Sequence, residues 1–256
     1  MVRFYGNKPY KIAAIHGGPG DIGSLKYCAE QLENKIEIGV IEPLQSKYSI
    51  SALICELYIQ LKENISGKAI LIGHSWGAWL AALLAGQYPE LVEKLILVGC
   101  PPLEDKYVDE ITNRRLCNLS KKDRCTFNRI KDDITCNEDM LIMQALIEKA
   151  DNVCLLKTSH ARSTSIDGKM YSQVWSEAAK MRHEGRLLSA FSNIACKIYL
   201  IHGENDPHPI TGIVYPLLQQ NVDCETYILP KCGHSPFEEE YANEKFFEIV
   251  KNIILG

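Results

Sequence analysis

The chain reads as an α/β protein: a mostly parallel sheet with helices on both faces, carrying an inserted helical segment. Three observations predict this. Continuous runs of Ile, Leu, Val and Ala, such as "YKIAAI" and "VEKLILV", suit strands buried on both faces, which a parallel sheet demands. The stretches between them carry apolar residues at helical spacing. The alternation stops at Pro101-Pro102 and resumes at "CKIYLIHG".

The elements follow in order. Barely one strand precedes the strand "YKIAAIHG"; then "SLKYCAEQLEN" sets Leu25, Cys28, Ala29 and Leu32 on one helical face, with Ser24 placed as its cap. The strand "IEIGVIEP" ends at Pro43, and the helix "SISALICELYIQLKEN" leads to the strand "KAILIG". "WGAWLAALLAGQYP" is a helix that Pro89 ends, and "VEKLILVGCPP" is a further strand. From Leu103 to Ala195 the sequence is more charged and helical in "KYVDEITNRRLCNL", "EDMLIMQALIEKA" and "YSQVWSEAAKMRHEGRLLSAF", with a turn at "IDGK". Strand "CKIYLIHG", helix "TGIVYPLLQQN", strand "CETYILP" and helix "NEKFFEIVKNIIL" close the chain. Residues 1–102 and 196–256 are therefore expected to form the core, and 103–195 a helical cap or lid.

At 256 residues the chain suits one large domain. A formal charge of −4 without a basic stripe argues against nucleic acid and anionic membranes, leaving a small molecule as the expected partner. The start "MVRFYGNKPYKIAA" has no cleavable apolar segment, and no run approaches the ~20 apolar residues of a bilayer span, so a cytoplasmic location is expected. Ten cysteines scattered from Cys28 to Cys232, without a C-x-x-C pair, read as reduced and mostly buried thiols; Cys55, Cys100 and Cys196 sit in apolar runs. No Cys/His pairs suit a metal site.

The chemistry concentrates at strand ends. "GHSWG" places Ser75 at a strand-to-helix junction with Gly73 and Gly77 on either side, a spacing that lets a sharp turn present a hydroxyl at the edge of the sheet. A serine hydroxyl needs a base, and the base an orienting group. Downstream, "HGENDP" puts Asp206 and "KCGHSPFEEE" puts His234 in loops at the same edge, in the order Ser, Asp, His. Glu204, Asp105 and Asp109 are the other candidate acids. "HGGPGD", residues 16–21, is glycine-rich enough to bring backbone N–H groups up to a ligand, and a phosphate loop is absent.

These four motifs, "HGGPG", "GHSWG", "HGENDP" and "GHSPFEE", resemble the α/β-hydrolase superfamily of the serine-nucleophile type over nearly the whole chain. The resemblance implies Ser75 as nucleophile, His234 as general base and acid, Asp206 as the group orienting His234, and the backbone N–H groups of Gly18 (or Gly17) and Trp76 as the oxyanion hole. It implies hydrolysis of a small ester or amide through an acyl-enzyme, with neither metal nor organic cofactor, and a rate that rises as His234 deprotonates near about 6.5. "HGGPG" with "HSWG" is similar to proline iminopeptidases, whose substrate amine calls for acidic cap residues; Glu110, Glu138, Glu148 and Glu177 are available. A lyase or acyltransferase with the same residues and a binding protein on the same scaffold are the other readings.

The remaining side chains have plainer expected roles. His16 braces the glycine loop, His74 packs behind the serine, His202 ends a strand and His208 sits on a loop rim near Asp206. His160 and His183 are expected to be exposed. Trp79 is expected in the core and Trp76 on a pocket wall; Trp175 is a candidate for the apolar underside of the lid, and Met140 and Met143 are expected in a helix stripe that packs the insertion to itself.

Overall fold

The structure, a computed structural model, describes residues 1–131, 137–157 and 167–256. Its sheet has seven strands: β1 (Val2–Tyr5), β2 (Tyr10–Ile15), β3 (Gly39–Pro43), β4 (Ala69–His74), β5 (Val92–Val98), β6 (Lys197–Gly203) and β7 (Cys224–Leu229). They run in the order β1-β3-β2-β4-β5-β6-β7, all parallel except the antiparallel β1–β3 pair. This is the alpha/beta hydrolase fold the sequence leads one to expect.

The unbroken apolar runs follow from burial on both faces. Ala13, Ile15, Leu71, Leu95 and Leu200 point to one side, packing against α2 (Ile50–Asn64), α3 (Trp76–Gln87), α8 (Arg186–Phe191) and α9 (Thr211–Gln219). Their neighbours Ile12, Ala14, Ile72, Ile96 and Ile201 point to the other, against α1 (Lys26–Ile36) and α10 (Asn243–Leu255). Helix α3 is buried along most of its length, which its sequence of Ala, Leu and Trp permits. Ser49 caps α2 by accepting the Ala52 N–H. Ser24 does not cap α1: the helix starts one residue later, Leu25 holds the cap position, and no side chain bonds there.

Between β5 and β6 the chain forms α4 (Val108–Asn118), α5 (Lys121–Ile130), α6 (Asn137–Asp151), α7 (Gly168–His183) and α8. Helix α5 is separate from the stripes visible in the sequence and begins at Ser120, whose hydroxyl accepts the Asp123 N–H. The long stripe ending at Phe191 is two helices, because Gly185 turns left-handed (φ 71°) between α7 and α8. Leu119, Phe127, Ile130, Met143, Leu146 and Ala150 make a small core within the insertion. Among the described residues its one strand-like contact is a bridge from Leu155 to Glu239.

The cysteines depart from expectation. Of the nine described, Cys28, Cys100 and Cys232 are buried, while Cys55, Cys117 and Cys125 are exposed and Cys154, Cys196 and Cys224 lie between. Cys55 shows why: an apolar run in an amphipathic helix still has a solvent side. All nine are free thiols. No helix among the described residues is long and apolar enough to cross a membrane.

Candidate active site

Strand β4 lies between β2 and β5, and Ser75 joins it to α3 with φ 53° and ψ −122°. A non-glycine residue in such a conformation costs roughly 1–3 kcal/mol and persists only when its surroundings enforce it. Here they do. A Cβ on Gly73 would collide with the Gly77 carbonyl, and one on Gly77 with the carbonyls of Ile15 and His16 at the end of β2. Two missing side chains therefore press the turn onto the neighbouring strand. The Ser75 N–H donates to the Val98 carbonyl (2.9 Å), fixing it to β5 as well.

The 16–21 loop lies against this turn. A Cβ on Gly17 would sit 3.3 Å from the Ser75 Cβ, and Gly18 holds φ 40°. The Gln45 backbone N–H donates to His16 Nε2 (3.3 Å), so Nδ1 carries the His16 proton and donates to the Gly17 carbonyl (2.9 Å). The Gln45 amide then donates to the His16 carbonyl (3.0 Å) and accepts from the Trp76 indole (2.8 Å). Burial pushes His16 down to about 4, so its imidazole is a neutral brace.

The other half of the site is built from side chains. Asp206, in the loop after β6, is 1% exposed. Its Oδ2 accepts from His234 Nδ1 (2.8 Å), and its Oδ1 accepts from both the backbone N–H (2.9 Å) and Nδ1 (2.8 Å) of His208. Burial alone would raise the Asp206 pKa, but the charge of His234, the charges that His208 and His202 take on only in acid, and the His208 hydrogen bond hold it well below the usual carboxylate range. For His234 burial pulls down, and the Asp206 charge and hydrogen bond outweigh it, so its pKa lies above 6.5. Gly99, at φ 53°, makes room for the ring: a Cβ there would lie 2.9 Å from His234 Nδ1. His74 donates from Nε2 to the His234 carbonyl (3.0 Å), its ring 4.8 Å from that of His234.

Ser75, His234, Gly17 and Gly18 line one cavity of about 450 Å³, to which residues of the insertion also contribute. Val108, Ile111, Met143, Ile147 and Trp175 give that part of the wall an apolar stretch, beside the polar Gln144, Lys131, Glu148 and Arg182. Within it, Arg115 donates from Nε and Nη2 to the two oxygens of Asp151 (2.7 and 2.6 Å). Asp151, His208 and His234 bring one donor atom each within 4.8 Å of one another. The Arg115 guanidinium occupies both Asp151 oxygens and stands 3.4 Å from His208 Nε2, so a cationic side chain already fills the place a metal ion would take.

The insertion is also sewn to the His234 loop. The His234 N–H donates to the Asp151 carbonyl (2.8 Å), and Ser235 N–H to Asn152 Oδ1 (3.1 Å). Buried Glu239 collects the N–H groups of Gly233 (2.7 Å), Val153 (2.9 Å) and Cys154 (3.4 Å).

The structure thus brings Ser75, Asp206, His234, Gly18 and Trp76 to one edge of the sheet. The competing acids point elsewhere: Glu204 is exposed, as is Asp109, and Asp105 pairs with Arg182 and His183. His183 is exposed, and His160 lies outside the described residues. Trp79 is buried and stacked on Trp175 (5.8 Å). Trp76 lines the cavity as expected; Met140 and Met143 line it too, where the sequence predicts packing within the insertion, and of the two Met143 also joins the insertion's own core. His208 is not a rim residue but 5% exposed, on the second oxygen of Asp206. Gln45, Arg115, Asp151 and Glu239 escaped sequence reasoning. For His208 a signal existed, since "DPHP" holds a histidine two residues past the acid between two φ-restricting prolines.

The alpha/beta hydrolase family profile matches residues 44–249, and the chain belongs to that family. It is similar to epoxide hydrolase 4 of Mus musculus, 39% identical over 57 residues that make up 22% of this chain and 16% of that one. It is similar to the pimeloyl-[acyl-carrier protein] methyl ester esterase of Nitrosomonas europaea, 24% identical over 69% of this chain and 68% of the esterase. Thus the chain spans only a small part of the epoxide hydrolase. The solved proline iminopeptidase of Mycobacterium smegmatis superposes with a TM-score of 0.68 at 14% identity, covering 99% of this chain and 93% of that one, a likeness of fold.

Proposed function

We propose that the protein is a serine hydrolase that cleaves an ester or amide of a small molecule through an acyl-enzyme. The observation that carries this reading is a serine held at positive φ on the same cavity as a histidine whose far nitrogen rests on a buried carboxylate. With Nδ1–H on Asp206, the His234 lone pair is on Nε2, the atom required to take the Ser75 proton as the hydroxyl attacks a carbonyl. Proton transfer needs Ser75 Oγ within hydrogen-bond reach of His234 Nε2, a contact that in unliganded enzymes often tightens only when substrate is bound. The N–H groups of Gly18 and Trp76 hold the oxyanion, His234 protonates the leaving group, and water repeats the sequence on the acyl-enzyme.

Residues 103–195 act as a cap that excludes water and shapes the substrate site. Its apolar stretch suits an acyl group of modest size, and the pairing of Arg115 with Asp151 leaves no net charge at that point to select an anion. The chemistry separates this reading from epoxide hydrolysis: serine opening an epoxide leaves an ether on Ser75, with no carbonyl for water to attack. A second reading, removal of an N-terminal residue from a peptide, draws on Glu148, which alone of the four nominated glutamates lines the cavity.

The test is turnover of short and medium p-nitrophenyl esters against prolyl and alanyl arylamides, with labelling by a fluorophosphonate probe. Ser75→Ala is expected to lose the label and at least ~10⁴-fold in kcat. Full turnover by that variant would remove the proposal, and arylamide cleavage would favour the peptidase reading.

A further inference from the structure

Asp206 orients two imidazoles, not one. A base needs a single oriented histidine, yet this carboxylate is shared between His234 on Oδ2 and His208 on Oδ1, with the two rings 4.5 Å apart. The protonation of His208 follows from its neighbours. Asp206 is ionised and accepts from Nδ1, so Nδ1 bears the proton; the Arg115 Nη2 group, 3.4 Å from Nε2, can only donate, so Nε2 must accept. Arg115 is itself fixed by two hydrogen bonds to Asp151. His208 is thereby held neutral in one tautomer between an anion and a cation.

We infer that His208 is a positioning residue for the hydrolytic reaction, which clamps Asp206 and, by taking part of its charge, limits the basicity of His234. The inference rests on the serine-hydrolase reading above. Burial, ahead of the opposing Asp206 charge, pushes His208 down to about 4, so it does not change charge in the working range of His234. The groups facing His234 are Asp206 and His208 on the loop after β6, His74 on β4, Asp151 on α6 and Arg115 on α4; His202 on β6 and Arg114 on α4 stand behind Asp206. Among the described residues only His208 competes for the carboxylate through a second side-chain hydrogen bond; His202 Nε2 stands 3.6 Å from Oδ2. Removing that donor leaves Asp206 more basic, strengthens its hold on the imidazolium form of His234, and raises the pKa of His234.

The test uses His208→Leu, which removes the donor, and His208→Asn, whose amide nitrogen restores one near the position of Nδ1. In His208→Leu the rising limb of kcat/KM is expected to move to higher pH by about half a unit, a roughly threefold loss on the acid side beyond any uniform fall. His208→Asn should return most of that shift. Nitrogen-15 NMR of the imidazoles in the wild type should show His208 as the Nδ1–H tautomer, without titration between pH 5 and 8. The inference is overturned by a His208→Leu limb in place with only a uniform loss of rate, or by a wild-type His208 that titrates near 6.5; the latter needs no variant to fold. Failure of fluorophosphonate to label Ser75 would sink the serine-hydrolase reading instead, while the same NMR titration of His234 in His208→Leu still decides the effect on its basicity.

Discussion

Around Ser75 the backbone sets the geometry, whereas around His234 the side chains do. The turn at Ser75 is compelled by the absent Cβ atoms at Gly73 and Gly77, both in one five-residue stretch, which let it press against the carbonyls of Ile15 and His16, and by one backbone bond to Val98. The His234 side draws on Asp206 and His208 from one loop, Arg115 from α4 and Asp151 from α6, across many residues of sequence. The first kind of order is steric and local; the second is electrostatic and assembled only when distant segments meet. Damage to the first should appear mainly as lost stability, and damage to the second mainly as lost rate and altered pH dependence.

Asp206→Asn gives the largest expected break on the electrostatic side. It removes the charge that holds His234 in its Nδ1–H form, and kcat should fall about 10³–10⁴-fold with the fold retained, measured by ester turnover and circular dichroism. Gly77→Ala is the steric counterpart. Its methyl would overlap the carbonyls of Ile15 and His16, and a loss of about 3 kcal/mol or more is expected in chemical denaturation. Near-native stability in that variant would break the contrast.

Protonation sharpens it. His16 and His208 have pKa values of about 4 in the fold against 6.5 when unfolded, and His202 is also lowered. Between those values the unfolded chain binds more protons, so the stability they contribute is full above 6.5 and is lost as pH falls toward 4, by about 2 kcal/mol per group at pH 5 for His16 and His208. His234, raised in the fold, has the opposite sign: its contribution is full below 6.5 and is lost as pH rises through its folded pKa. Melting temperature should therefore decline on acidification from pH 7 to 5, while kcat/KM rises with pH through a value above 6.5, not at it. The smallest expected change in stability is that of Ser75→Gly, which relieves the positive φ and should add about 1 kcal/mol, with turnover lost as in Ser75→Ala.

The same contrast explains what could be read from the chain. Strand runs, the elbow and the order Ser75, Asp206, His234 were legible because each is a local pattern with a local cause. The helix that begins at Ser120 was not, since its weak apolar stripe meets the core through Phe127 and Ile130 alone among its residues. Ser24 misled because a polar residue near a helix start caps only when its backbone stands at the boundary, and here the boundary falls one residue on. Gln45, Arg115 and Asp151 were invisible for a different reason. Each is an ordinary polar residue until the fold sets it against His16, His208 or His234, and no spacing along the chain announces that.

The stitching of residues 151–156 to the loop of His234 bears on how such a protein can be remodelled. An engineer grafting a foreign lid between β5 and β6 to change substrate range would cut away the carbonyl of Asp151 and the amides of Val153 and Cys154, and leave buried Glu239 short of two donors. The workable splice points lie on either side of that segment, so that residues 151–156 travel with the core, and the graft must still supply a cation in place of Arg115 to pair with Asp151.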